Sequence, residues 1–476
     1  MTMILSINKK KVLIIVALLS SVVAYGQQTD SLQFYLETAA KNNPTVLQRF
    51  NEYQASLQKL PQVGSLPDPQ LEMGIFLSPM ELISGNQVAE IKLMQMFPWF
   101  GVIRNAKDEM SLMAKAKYES FRDAKLQVYY DVQLGWYDLY KVRQNIIISE
   151  KNMKMLKTVE RLTLVKYKYG SGGSRNSSAS AGSMSGGSPA PTSAGSSGMN
   201  TMGGNSGSTA SGPVTASPSG SMGSSSGGTG LSDVYQIQIE MGDLENNIAS
   251  LRNEELTVMA AFNSILNRPQ QTPVSAADSL SSEPLNLSYL TVSDSIFIRN
   301  PMLGMLHYEQ LSLTARKKMV KQMGYPMVGL GLNYSLINKS EMSTSMMNGQ
   351  DMIMPMITVT LPIYRKKYKA MQAETGFLKT ASEQNYQATA NELQNGYYQA
   401  LQLYNDAQRR MKLYENQSNL AHKSLDIQIK TYSTSGSSMT DILRTRQQLL
   451  DYELKKLEAL TDFNTAKAWI KRLVTL

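Results

Sequence analysis

Two stretches early in the chain alternate strictly between apolar and polar side chains. Leu71, Met73, Ile75 and Leu77 alternate with Gln70, Glu72 and Gly74, and Ala89, Ile91 and Leu93 alternate with Glu90 and Lys92. A period of two puts every second side chain on one face, so the pattern predicts strands over about 69–79 and 87–97. The pattern returns late in the chain: Val328, Leu330, Leu332 and Tyr334 stand against Gly329, Gly331 and Asn333, then Ile357, Val359 and Leu361 against Thr358 and Thr360. Strands are expected there over about 326–337 and 352–363. After Pro98 and Pro362, the expected strand-to-helix junctions, the period turns helical over about 101–169 and 365–432. At 1.5 Å per residue each helix is roughly 100 Å long. In the first, Phe121, Val128, Val142 and Leu156 share one heptad position and Val132, Leu139, Ile146 and Met153 another. That is a coiled-coil seam, interrupted by Gly135 and Ser149, which allow close neighbours. Return helices are expected over 231–267 and 440–474.

The two halves follow one plan. Lys41-Asn42-Asn43-Pro44 matches Ile298-Arg299-Asn300-Pro301, roughly 257 positions later. Leu66 to Leu71 aligns with Met323 to Val328 at the same spacing, and Leu134-Gly135-Trp136-Tyr137 faces Asn395-Gly396-Tyr397-Tyr398. Each copy reads as short helix, helix, β-hairpin, very long helix, turn and helix. The first copy occupies 27–270 and the second 285–476, joined by a linker at 271–284. Asp30 or Ser31 is expected to cap the first short helix, Pro44 to open the next, and Pro61 through Pro69 to end it.

Strands of about ten residues with one apolar face have the length and alternation of tilted membrane-spanning β-strands. Four such strands cannot close a barrel, and an open edge in hydrocarbon leaves backbone groups unpaired at several kcal/mol each. Closure must come from further copies of the chain, and three protomers supply about twelve strands, within the range of known barrels. A homotrimer is therefore expected. The long helices point the same way, since a lone helix of that length has no core of its own.

Composition narrows the compartment and the chemistry. Lys9, Lys10 and Lys11 precede an apolar run from Val12 to Leu19, and Ala24-Tyr25-Gly26 offers small residues for cleavage, so 1–26 reads as a secretory signal peptide. Cysteine is absent, which excludes disulfides, thiolate metal sites and a lipidated N-terminal cysteine. The formal charge of +9 is spread as alternating basic and acidic residues along the helices, a solvated surface and not a nucleic-acid site. Only His307 and His422 are present, both in helical patterns. No nucleophile–base pair, metal-ligand spacing or phosphate loop is found, so neither an enzyme nor a cofactor is implied.

With these residues in view, the chain resembles the TolC family of outer-membrane efflux factors over its whole mature length. Leu66-Pro67-Asp68-Pro69-Gln70-Leu71 and Gln95-Met96-Phe97-Pro98-Trp99-Phe100-Gly101 resemble the heavy-metal branch, the relatives of CusC and CzcC. The resemblance implies a mixed α/β trimer: a 12-stranded barrel in the outer membrane of a Gram-negative bacterium above a helical tunnel through the periplasm. It also implies two partners, a periplasmic adaptor (membrane fusion protein) and an inner-membrane pump of the RND type. A general drug or small-molecule duct and a protein-secretion duct share that fold. A periplasmic coiled-coil scaffold would explain the helices but not the hairpins.

The family's tip motif has an aromatic residue, a glycine three later and an acid nine later. Tyr432 to Asp441 keeps the outer spacing, with the glycine one place late at Gly436, while Tyr167 and Gly170 begin the other copy and Asp233 completes it. By resemblance, Asp233, Asp441 and Tyr432 belong to the closing gate. The gate arginine of some members falls on Ser437. Alternatively, Asp233 and Thr440 or Asp441 cap the returning helices. Between the halves of the first motif lies a Ser/Gly/Met-rich insertion, 171–230, too poor in apolar residues to fold alone. Met184, Met199, Met202 and Met222 punctuate it, and Met342, Met346, Met347, Met352, Met354 and Met356 crowd the second hairpin. Thioethers suit Cu(I) and Ag(I), although methionine is equally an adaptable filler. His307 and His422 read as packing residues, and Trp99 and Phe100 as anchors at a lipid interface.

Overall fold

The computed structural model describes residues 31–170, 230–275, 279–280, 282–285, 299–344, 346–434 and 438–475. The expected signal 1–26, Met184, Met199, Met202, Met222, Gly436 and Ser437 lie outside them, as does 286–298, where the second copy's short helix is expected.

The first half opens with α1 (Leu32–Asn42) and α2 (Pro44–Gly64), continues through the strands β1 (Gln70–Leu82) and β2 (Gly85–Phe97), and ends with α3 (Val102–Gly170) and α4 (Gly230–Ile265). The second contains α5 (Pro301–Gln322), β3 (Met327–Asn338), β4 (Met352–Thr360), α6 (Arg365–Thr434) and α7 (Met439–Val474). Ser31 caps α1 by accepting from the Phe34 amide. Pro61 does not stop α2, which runs on to Gly64. β1 runs past Pro79 to Leu82, with its register shifting between Ile75 and Met80; the proline has no amide hydrogen to give to the ladder there. β4 ends at Thr360, short of the expected 363, because Pro362 ends the pairing and restricts Leu361 before it. Gly230, assigned to the insertion by composition, opens α4, and α4 stops at Ile265 just before Asn267 turns left-handed (φ 51°).

The strands form one antiparallel sheet in the order β1-β2-β3-β4, so among the described residues the outer edges of β1 and β4 pair with no further strand. Register carries the alternation across all four strands. Leu71, Leu93, Leu332 and Pro355 stand in one row, and Met73, Ile91, Tyr334 and Ile353 in the next row on that face. This apolar face is bare: Ile75 is 80% exposed, Leu77 100% and Ile357 74%. Glu72, Lys92 and Asn333 stand in a row on the other face.

The helices bury side chains in three separate clusters strung along their length. Nearest the sheet, α2 and α5 flank α3, with Glu52 accepting from Lys117 and Gly304 lying against Glu119. Farther along, α3 pairs with α4 and α6 with α7, through Arg143–Glu255 and Arg410–Asp462. The seam positions Val128, Val132, Leu139, Val142, Ile146 and Leu156 are buried. Gly135 gives room to Phe262, since a Cβ there would lie 3.0 Å from its ring. On either side of the linker's centre the chain is anchored, with Val274 buried and its carbonyl accepting from Arg143, and the Leu285 amide donating to the Tyr404 hydroxyl.

The Asn-Pro pairs do one job twice. Asn43 Oδ1 accepts from the Thr45 and Val46 amides at the start of α2, while its Nδ2 donates to the Ile265 carbonyl at the end of α4. Asn300 likewise caps α5 through the Met302 amide and donates to the Leu473 carbonyl near the end of α7. Pro44 and Pro301 follow at first-turn positions that need no amide hydrogen. Asn43→Ala and Asn300→Ala are each expected to cost about 1 kcal/mol, seen as a lower guanidinium midpoint of the far-ultraviolet dichroism. Unchanged midpoints for both would remove these joints from the account of stability.

Candidate functional site at the helix tips

The ends of the helices farthest from the sheet gather the residues that the tip motif singles out. Leu156 and Val159 of α3, Ile237 of α4, Leu425 and Tyr432 of α6 and Met439, Ile442 and Leu443 of α7 form one buried cluster. Tyr432 is 4% exposed within it. The Lys166 ammonium lies 3.8 Å from the centre of the Tyr432 ring and donates to the Tyr432 carbonyl at 3.3 Å. A cation over an aromatic face is attracted by the ring quadrupole, more strongly where water is excluded. Thr163, fully buried one turn before Lys166, hydrogen-bonds the Tyr432 side chain and donates to the Val159 carbonyl.

Asp233 completes the group from the first turn of α4. Burial pushes its carboxyl above the ordinary value, and the Lys166 charge partly opposes this. Burial also raises the Tyr432 phenol; its bond with Thr163 works against that, and the Asp233 charge adds to it. Asp233 and Tyr432 are thus brought together around Lys166, a residue the motif did not flag. Its signal in sequence was a lysine four positions before Gly170, indistinguishable from the other surface lysines of that helix.

Asp441 sits apart. It is exposed in the first turn of α7, with no ion pair or side-chain hydrogen bond among the described residues. The capping alternative is not what the geometry gives: Ser438 holds the N-cap position of α7 and makes no side-chain cap bond, while Asp233 stands within the first turn of α4. Both acids still lie where a helix dipole favours negative charge. Just beyond, Arg446, 5% exposed, pairs with Glu240 and ties α7 to α4. Glu453 of α7 meets Lys151 of α3 at 3.3 Å and His422 of α6 at 3.6 Å.

At the opposite end, Pro98 and Pro362 lie between strand and long helix. Gly101 (φ 87°) makes the first bend, and Asn105 donates to Gln322 at 2.6 Å, fastening α3 to the end of α5. Trp99 stacks on Tyr325 with ring centres 5.4 Å apart, and Phe100 is 87% exposed. His307 is exposed on α5. No cluster of three His, Cys, Asp or Glu side chains suited to a metal ion occurs among the described residues.

No family model matches the chain, and no curated protein matches it in sequence. Solved structures do match in fold. A crystal structure of CusC superposes with a TM-score of 0.69 at 12% identity, covering 94% of this chain and 92% of that one. The open state of the MtrE outer-membrane channel of Neisseria gonorrhoeae gives 0.66 at 12%, covering 94% and 89%. The outer-membrane protein VceC of Vibrio cholerae gives 0.66 at 11%, covering 93% and 95%. The chain has the TolC-like channel fold. Nearly the whole of each channel protomer is matched.

The raised carboxyl of Asp233 has a definite pH signature. Its folded value lies above the unfolded one, so its contribution favours the packed tip below the ordinary carboxylate value and is lost as pH rises through the raised value. Asp233→Asn, neutral throughout, is expected to raise the thermal midpoint at pH 7 and to leave it nearly unchanged at pH 3. An equal shift at both values would mean that ionisation of Asp233 is not what strains the tip.

Proposed function

We propose that the chain is one protomer of a homotrimeric outer-membrane duct, the passive exit of a tripartite efflux system. The observation that carries this reading is the bare four-stranded sheet, apolar on one face and free at both edges, set on helices of 69 and 70 residues. Such a sheet is stable in lipid when copies pair edge to edge and turn their apolar faces outward. The helices then continue the wall of the pore across the periplasm. An adaptor and an inner-membrane RND-type pump would supply specificity and energy, and the duct performs no chemistry. Outer-membrane lipid contacts the apolar face and the aromatic side chains at Trp99 and Phe100.

In this reading the tips form the constriction. Tyr432, clamped by Lys166 and Thr163, holds α6 against α3, while the carboxylates of Asp233 and Asp441 recur around the three-fold axis. Rings of acids at a narrow point favour cations. The cargo we assign is a soft heavy-metal cation of the Cu(I)/Ag(I) class, supported by 30 methionines in a chain without cysteine. Gly170 and Gly230, which flank the insertion in sequence, stand at the tip, where adaptor and pump would dock.

Asp233→Ala combined with Asp441→Ala is expected to raise single-channel conductance in planar bilayers several-fold. Unchanged conductance at all voltages would take these acids out of the gate. Deleting 171–229 is expected to leave the trimer intact on native gels while lowering copper and silver tolerance and sparing tolerance to organic dyes. Equal loss of both tolerances, or of neither, would count against metal capture by the insertion.

A further inference from the structure

The face of the sheet opposite the apolar one is not uniformly polar. Register places Glu90, Lys92, Met94 and Met96 of β2 on it, beside Gly329, Gly331 and Asn333 of β3 and Met352, Met354, Met356 and Thr358 of β4. In the duct this face lines the lumen. Methionine is ordinarily a filler of packed interiors, yet among the described residues no helix packs broadly on this sheet. Packing therefore does not account for five thioethers on a water-facing surface.

Two glycines give these methionines a shape. Gly329 stands between Met96 and Thr358, and Gly331 between Met94 and Met356. A Cβ at Gly329 would lie 2.6 Å from the Met96 sulfur, so that thioether occupies the space the glycine leaves. The Met356 methyl leans over Gly331 in the same way, 3.7 Å from where its Cβ would be. Glycine weakens a strand and often marks close approach by another group. Met94 and Met356 are two strands apart, roughly 9.5 Å, and only the bare Gly331 lies between them. Met94, Met96 and Met356 thus lie around two positions without side chains, Gly329 and Gly331, with rotatable thioethers of their own.

The charges nearby do not suit a hard cation. Lys92, two residues before Met94 on this face, pairs with Glu90 at 3.0 Å and stands opposite Glu72. The thioether zone itself carries no charge. Neutral thioethers select soft monovalent ions and are poor ligands for Mg(II), Ca(II) or Zn(II).

We propose that Met94, Met96 and Met356 form a thioether site for a soft monovalent cation, Cu(I) or Ag(I), on the lumenal face at the mouth where the helices enter the barrel. The site rests on the duct reading for its lumenal position, but its ligands are fixed by strand register alone. Each protomer carries one complete site, which would give a trimer three exchangeable stations around the pore.

The test is equilibrium dialysis of the purified full chain against Ag⁺ in chloride-free buffer, comparing wild type with the triple variant M94L/M96L/M356L. Leucine keeps the volume and apolarity while removing the sulfur. The triple variant is expected to bind one Ag⁺ fewer per protomer, whereas M73L, which alters the lipid-side face, is expected to bind as wild type does. An unchanged isotherm for the triple variant overturns the site. Should that variant fail to insert, M94L and M356L singly are each expected to weaken Ag⁺ binding, and the absence of weakening in both overturns the site equally. Conductance in KCl, measured on the same preparations, separates the two readings. A wild type that binds Ag⁺ but forms no pore defeats the duct and leaves the site, while a conducting triple variant with undiminished Ag⁺ binding defeats the site and leaves the duct.

Discussion

The structure depends on a sheet that one chain leaves unfinished. Four strands are paired through β2 and β3, but the outer edges of β1 and β4 still present amide and carbonyl groups, and one whole face is apolar and uncovered. In water that face would aggregate, and in hydrocarbon the edges would each carry several unpaired groups at a few kcal/mol apiece. In the proposed duct both problems would have the same remedy, pairing of β1 of one copy with β4 of the next in a lipid setting. The proposed trimer would thus rest on backbone hydrogen bonding before any side-chain recognition.

The helical part answers a different difficulty. A helix of 69 residues cannot fold around a single centre, and the buried side chains accordingly divide among three clusters. Each is centred on aromatic or branched residues from several helices: Tyr35, Trp136 and Phe262 in one, Tyr404 stacked on Phe463 in another, Tyr432 among aliphatic neighbours at the tip. Ion pairs such as Arg143–Glu255 and Arg410–Asp462 fill the intervals, where exposure keeps their individual contribution small. Rigidity along the length comes from repetition of modest contacts.

Much of this was legible in the sequence because it is periodic. The alternation from Leu71 to Leu77 and from Val328 to Tyr334 specified strands and the apolar face together, and the Asn-Pro pairs marked equivalent helix starts. Ends were less legible where local chemistry competed, as at Pro79, which β1 passes, and at Gly230, which opens a helix despite its low propensity. The tip was half legible. Asp233 and Tyr432 stood out by spacing, whereas Lys166 and the Arg446–Glu240 pair belong to different helices and gain meaning only when those helices are side by side. Met352, Met354 and Met356 stood out as a crowd in the second hairpin, but their grouping with Met94 and Met96 was hidden for a related reason. Met96 and Met356 are far apart in the chain, and only the register through Gly329 and Gly331 makes them neighbours.

The paired asparagine joints bear on how the tips can move. Asn43 and Asn300 each hold the end of a return helix against the start of another helix, so those ends are pinned midway along the long helices, where Phe262 meets Gly135. The far ends of α4 and α7, 36 residues away, have no equivalent asparagine pin among the described residues. A helix of that length is a lever of roughly 54 Å, and a swing of roughly 6° about its pinned end carries the other end by roughly 6 Å. If the tips close the proposed duct, such an iris would widen by tilting whole rods, with every backbone hydrogen bond kept, and its stiffness would be set by what clasps Tyr432 at the rim.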